Sequence, residues 1–192
     1  MRNELRKLKI QARNNLSSAE RDKFSKQIVG RVLASDAYHK AQNIMVYRAV
    51  KGEVDLRALE AVAKKDGKAL YYPLCVSKTD MIALAPNDNL PVGQIAWEKG
   101  VFGIMEPVRE YSSEILPEEL DMVICPCTVF DEQGGRMGMG AGYYDRYLKK
   151  CTKACATTVA FEVQKTEHVP MEEWDIRMNM IFTEREVYYE PR

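Results

Sequence analysis

Residues 121–125, DMVIC, are apolar from the second position to the last, and Pro126 stops them. A strand with one wet face alternates apolar and polar residues, so an unbroken apolar run reads as a central strand covered on both faces. That geometry requires helices above and below a sheet. The flanking pattern supplies them. Residues 43–47 (NIMVY) read as a short buried strand, 55–65 (DLRALEAVAKK) as a helix ended by Gly67, and 68–73 (KALYYP) as the next strand. Strand, helix, strand is the rhythm of a parallel sheet.

Two helices precede this unit. Leu5, Leu8, Ala12 and Leu16 recur at helical spacing among basic residues over 2–16, and Ser17 or Ser18 before Glu20 forms a capping-box signal for a second helix running to Leu33. Residues 81–107 carry Pro86, Pro91, Gly93, Gly100 and Gly103 and read as a hairpin or loop excursion bearing Trp97 and Phe102. Beyond the apolar run, 143–150 read as a helix, 154–161 as a strand and 180–183 as the last strand. No internal repeat, low-complexity tract or linker interrupts the chain, so 1–192 is expected to be a single domain.

Composition narrows the function classes. Among 192 residues, 28 basic and 28 acidic side chains cancel, which gives no global field for nucleic acid or anionic lipid. No apolar run approaches a membrane span, and the charged N-terminus does not read as a signal peptide, so a cytoplasmic location is expected. Five cysteines without paired spacing and only His39 and His168 argue against structural zinc or a disulfide framework. The thiols read as small apolar side chains.

Chemistry concentrates in residues 131–148, DEQGGRMGMGAGYYDRYL. Five of the chain's 11 glycines stand there, at 134, 135, 138, 140 and 142, directly before a helix. Glycine density on this scale means a tight turn or a close approach by the main chain. Two readings follow: a cradle of amides for phosphate, or a turn that only threads strand into helix. The spacing matches neither a P-loop nor a dinucleotide fingerprint, and Glu162 is a poor ribose acid. Arg136 offers a planar fork to phosphate, or a solvated side chain. Asp145 is either a ligand for a nucleotide-borne divalent cation or a partner of the helix dipole. Tyr143, Tyr144 and Tyr147 read as packing residues or as an aromatic wall.

The run RMGMGAGYYDRYL resembles the Arg-Leu-Gly-x-Gly-x-Gly-Tyr-Tyr-Asp signature of the 5-formyltetrahydrofolate cyclo-ligase (5,10-methenyltetrahydrofolate synthetase) family. Further matches keep their order along the chain. Arg2, Leu5 and Arg6 resemble the family's Lys-x-x-Leu-Arg element, and Glu53 to Asp55 its Glu-centred folate contact. Gly103, Ile104, Glu106 and Pro107 resemble Gly-Ile-x-Glu-Pro. Pro126, Phe130 and Asp131 match Pro-Gly-x-x-Phe-Asp, and Val169, Pro170 and Asp175 the closing Val-Pro and acidic element.

The resemblance implies a three-layer α/β/α, Rossmann-like fold of the NagB/RpiA/CoA-transferase-like kind, with the glycine loop at the carboxyl end of the 121–125 strand. It implies an enzyme that uses ATP and Mg²⁺ to close the ring of 5-formyltetrahydrofolate. In the family's proposed mechanism the formyl oxygen takes the γ-phosphate as an iminium phosphate, and the neighbouring amine then displaces phosphate. By the same resemblance, Arg2, Arg6, Arg136, Met137, Gly138, Met139, Gly140, Ala141, Gly142, Tyr143 and Tyr144 contact ATP. Val50, Glu53 and Asp55, together with Met139, Gly140, Ala141, Gly142 and Tyr143, face the folate. Arg136, Tyr143 and Asp145 are the catalytic candidates, and Asp145 and Asp175 the metal ligands. A monomer is expected, with a dimer left open and neither nucleic acid nor membrane as partner. Arg2 replaces the family's Lys, Cys127 its Gly, and Met137, Met139 and Ala141 fill variable loop positions. Two rivals stand beside the cyclo-ligase: a nucleotide-binding regulatory module without turnover, and a Rossmann-like oxidoreductase or transferase.

Overall fold

The computed structural model describes residues 1–50, 52–100 and 103–189, so Phe102 lies outside the described residues. Helices α1 (Arg2–Asn14) and α2 (Ser18–Leu33) lead the chain, and α3 (Asp36–Lys40) follows. The capping box forms as read: Ser17 Oγ accepts from the Glu20 amide at 3.2 Å, and the Glu20 carboxylate accepts from the Ser17 amide at 2.8 Å. Then come β1 (Asn43–Met45), α4 (Arg57–Lys65), β2 (Ala69–Cys75), β3 (Met81–Pro86), β4 (Trp97–Lys99), β5 (Met105–Pro107), β6 (Ser112–Ile115), β7 (Met122–Cys125), β8 (Val129–Phe130), β9 (Arg136–Met137), α5 (Tyr143–Leu148), β10 (Cys155–Val159), β11 (Met180–Phe182) and β12 (Val187–Tyr189).

The main sheet has eight strands in the order β12-β11-β10-β7-β1-β2-β3-β6. Its centre, β11 through β2, is parallel, and antiparallel pairing appears only at β12, β3 and β6. Strand β7 sits mid-sheet with all four residues at 0% exposure, as its apolar run demands. Alternate residues serve alternate faces. Ile44, Met122 and Ile124 pack against Ile28, Val32, Tyr38, Leu59 and Ala63 of α2, α3 and α4. Met45, Val123 and Cys125 pack against Tyr147 and Leu148 of α5, with Phe130 and Met178.

Three parts of the sequence reading change. Residues 81–107 are not one excursion: β3 joins the main sheet, and only β4 and β5 form a separate antiparallel pair. Strand β6 (SSEI) gave no apolar signal because it is an edge. Strand β12 follows the strand expected to be last, again at an edge. Pro73 is tolerated inside β2. The Ala69 amide and the Tyr71 carbonyl bond toward β1, so Pro73's missing N–H also faces that side, past the end of β1.

Helix α1 lies outside both layers. Arg13 is its one buried residue. It spans the loops at the carboxyl ends of the parallel strands, bonding carbonyls that follow β9, β7 and β10 through Arg6, Arg13 and Lys9 respectively. Among the described residues no helix is long and apolar enough to cross a membrane.

Candidate active site

The chain leaves β7 at Pro126, makes the β8–β9 hairpin, and only then enters the glycine loop of residues 138–142 before α5. The five glycines therefore split. Gly134 and Gly135 belong to the hairpin turn, which is organised by the fully buried Asp131 carboxylate. Its Oδ1 accepts from the Gln133 and Gly135 amides at 3.0 and 2.8 Å, and its Oδ2 from the Val169 amide at 2.7 Å. A Cβ at Gly135 would stand 2.6 Å from Asp131 Oδ2, and one at Gly134 2.6 Å from the Met178 carbonyl. These two glycines are small because protein fills the space.

Residues 138–142 differ. Gly140 has φ +106, which side chains disfavour, and Met139 is 70% exposed. The Arg6 guanidinium lies over this backbone. Its Nε donates to the Gly138 carbonyl at 3.0 Å, and a Cβ at Gly140 would be 3.5 Å from its Cζ. One turn back on α1, Arg2 Nη1 meets Asp175 Oδ2 at 2.8 Å, the Pro170 carbonyl at 3.0 Å and Glu172 Oε2 at 3.2 Å. The loop's rim is thus an exposed main chain with the Arg6 cation over it, while Arg2 is held on the 170–175 segment.

Arg136 is neither solvated nor exposed at the rim. Its side chain is 2% exposed, and its Nη2 donates to Asp145 Oδ1 at 2.8 Å. Its Nη1 lies 3.5 Å from the Pro126 carbonyl and would be 3.2 Å from a Cβ at Gly138. Asp145 Oδ1 also accepts from the Ile176 amide at 3.2 Å, which brings the segment after Asp175 against α5. Met137 is buried beside Val129 and Val169, with Leu5 of α1 against them. The Tyr143 hydroxyl donates to the Ser77 carbonyl at 2.9 Å, and Arg146 donates to Thr79 and Ala141 carbonyls at 2.7 and 2.8 Å. Those bonds tie α5 to the β2–β3 turn.

Val50, Glu53 and Asp55 come together on a cleft of about 280 Å³, shared with Tyr47, Arg48 and Glu60. Arg48 Nη1 donates to both Glu60 carboxylate oxygens, at 3.2 and 2.9 Å, with its guanidinium over Tyr72 and Trp97. Asp55 is held by Arg57. The Glu53 carboxyl is pushed up by burial, against the Val50 amide and Arg13, which pull it down. Burial first, and the charges of Cys125 and Glu53 after it, hold the Tyr144 phenol well above its ordinary range.

Cys127 points inward. Its Sγ donates to the Val129 carbonyl at 3.3 Å, its carbonyl accepts from Gln164 at 2.8 Å, and burial pushes its thiol up to about 12. Arg13 and Gln164, both buried on this wall, were missed from sequence. For Arg13 the signal was available: Arg2, Arg6, Lys9 and Arg13 recur at helical spacing on one face, a stripe that reads as solvated.

A parallel sheet between helices, with a glycine loop and charged connections gathered at its carboxyl ends, defines a Rossmann-like α/β enzyme. The model of the 5-formyltetrahydrofolate cyclo-ligase family matches residues 1–184, and the chain belongs to that family. It is 29% identical over 180 residues to the 5-formyltetrahydrofolate cyclo-ligase of Haemophilus influenzae, covering 92% of this chain and 91% of that one. Against the protein of that name from Escherichia coli it is 28% identical over 184 residues, with 93% and 97% covered. The NMR structure of Aquifex aeolicus 5,10-methenyltetrahydrofolate synthetase matches with a TM-score of 0.84 at 32% identity, over 100% of this chain and 93% of that one. Membership makes the chain a cyclo-ligase of folate chemistry with a nucleotide-dependent reaction.

Proposed function

We propose that the chain converts 5-formyltetrahydrofolate to 5,10-methenyltetrahydrofolate with ATP and Mg²⁺, releasing ADP and phosphate. The observation that carries this reading is the exposed, left-handed backbone at Gly140 lying under the Arg6 guanidinium. Main-chain amides beside a cation suit a triphosphate, and little covalent work is asked of the protein.

In this reading Gly138, Met139, Gly140, Ala141 and Gly142 contribute backbone to the phosphates, and Arg6 and Arg2 contribute charge from α1. Arg136 supports the loop from beneath through Gly138 and fixes Asp145. Val50, Glu53 and Asp55 orient the folate, and Tyr143 and Tyr144 close the space between the two ligands. The formyl oxygen then takes the terminal phosphoryl group and ADP leaves; the adjacent amine attacks the activated carbon, the ring closes, and phosphate departs. Positioning and exclusion of water supply the rate.

Among the described residues no cluster of three or more His, Cys, Asp or Glu could hold a divalent ion. Asp145 and Asp175 are each already paired with an arginine. Such a pair fits an ion that arrives with its own phosphate ligands rather than one caged by protein. Mg²⁺ there would neutralise phosphate charge, with Asp145 and Asp175 as its carboxylate contacts. We place the enzyme in the cytoplasm as a monomer; its thiols are free, as a reducing compartment would leave them.

The test is the absorbance of the methenyl product on mixing the protein, Mg·ATP and 5-formyltetrahydrofolate. Product formation that requires all three is expected. Nucleotide binding without product would make the chain a regulatory module, and preference for NAD over ATP would make it an oxidoreductase.

A further inference from the structure

The basic stripe on α1 ends in a residue that the glycine loop does not use. Arg13 stands two turns from Arg6 on the same helix face, about 10 Å along the axis. Its side chain is 4% exposed. Its Nη1 lies 3.8 Å from Glu53 Oε1 and 3.4 Å from the Cys127 carbonyl. The other Glu53 oxygen accepts from the Val50 amide at 3.1 Å. Glu53 is therefore hydrogen-bonded on one side by its own loop and faced on the other, at ion-pair distance, by a cation from a distant helix. The groups that face it are Arg13 from α1, Tyr47 beyond the end of β1, Tyr144 from α5 and Cys127 after β7, while Arg21 and Asp22 of α2 and Arg48, Asp55, Arg57 and Glu60 line the same cleft. Arg13 stands at ion-pair distance from the carboxylate itself.

We infer that Arg13 is a positioning residue for the folate-side carboxylate: it holds Glu53 oriented and counter-charged from the same helix that carries Arg6 to the glycine loop. A buried carboxylate without such a partner would protonate rather than remain an acceptor for the substrate's ring N–H groups. Because one rigid helix carries both contacts, ordering α1 on the nucleotide side also fixes the folate side.

This rests on the reading of Glu53 as a folate contact, and the experiment separates the two. Glu53→Gln tests that reading: its KM for 5-formyltetrahydrofolate should rise, and an unchanged value would remove Glu53 from the folate site. Arg13→Gln keeps a donor for the Cys127 carbonyl and deletes the charge; Arg13→Lys keeps the charge. For Arg13→Gln we expect the folate KM to rise about tenfold, the ATP KM to stay within about twofold, and the acid limb of kcat/KM to move up by about one pH unit. The sign follows from Glu53: loss of the cation raises its pKa further, so more alkaline solution is needed to ionise it. Arg13→Lys should return the limb to its wild-type position, and Arg13→Gln should add nothing in the Glu53→Gln background. An unmoved limb, identical behaviour of the Gln and Lys variants, or independent effects at the two positions would overturn the inference. Should Arg13→Gln fail to fold, adding Glu53→Gln should restore folding by removing the uncovered carboxylate, and failure of that rescue also overturns it.

Discussion

The hairpin turn at residues 131–135 and the loop at 138–142 use the same residue type for opposite reasons. In the turn, Gly134 and Gly135 face backbone and carboxylate so close that no Cβ fits. In the loop, Gly140 has room for a Cβ beside Arg6, but its backbone angle belongs to glycine. The first pair makes a tightly packed support, and the second leaves main chain exposed for a ligand. Glycine density alone signals only that side chains are missing; what occupies the space distinguishes packing from binding.

Four substitutions test that contrast. The largest effect belongs to Asp145→Ala, which cuts the link between support and loop. Turnover should be lost, and the Arg136 guanidinium, left buried without its carboxylate, should cost about 3–5 kcal/mol in urea unfolding. Full activity in this variant would detach Asp145 from the chemistry. Next is Gly135→Ala, where collision with Asp131 should remove about 2–4 kcal/mol while the folded fraction keeps its KM values. Gly140→Ala should behave inversely: about 1 kcal/mol of stability and an ATP KM raised about tenfold. If the two glycine variants behave alike, the contrast fails. Smallest is Arg6→Ala, with an ATP KM raised about threefold to fivefold and an increase that shrinks as salt is added. A salt-independent change would mean that Arg6 acts by packing rather than charge.

Much of this was legible in the chain. The apolar run that becomes β7, the capping box at Ser17 and the strand-helix-strand unit from β1 to β2 formed as their local patterns required, because buried central strands and helix starts are written in neighbouring residues. Edges were not legible. Strands β6 and β12 are short and only partly buried, so their pairing depends on β3 and β11 arriving beside them. The site divides similarly: its residues were visible as types and spacings, but their partners were not. Arg136 read as a phosphate ligand or a solvated surface residue and is buried, donating to Asp145. Arg13 was not singled out in the sequence and is buried against Glu53.

The sequence by itself determined the α/β class and the place of the glycine-rich segment before a helix, since hydrophobic period and turn chemistry act over a few residues at a time, and its ordered motifs carried the resemblance to the family. Only the tertiary structure decided that Arg2 would meet Asp175, that Arg13 would meet Glu53, and which glycines carry packing. Those contacts join segments far apart in the chain, and they exist only once α1 has docked across the carboxyl ends of the sheet.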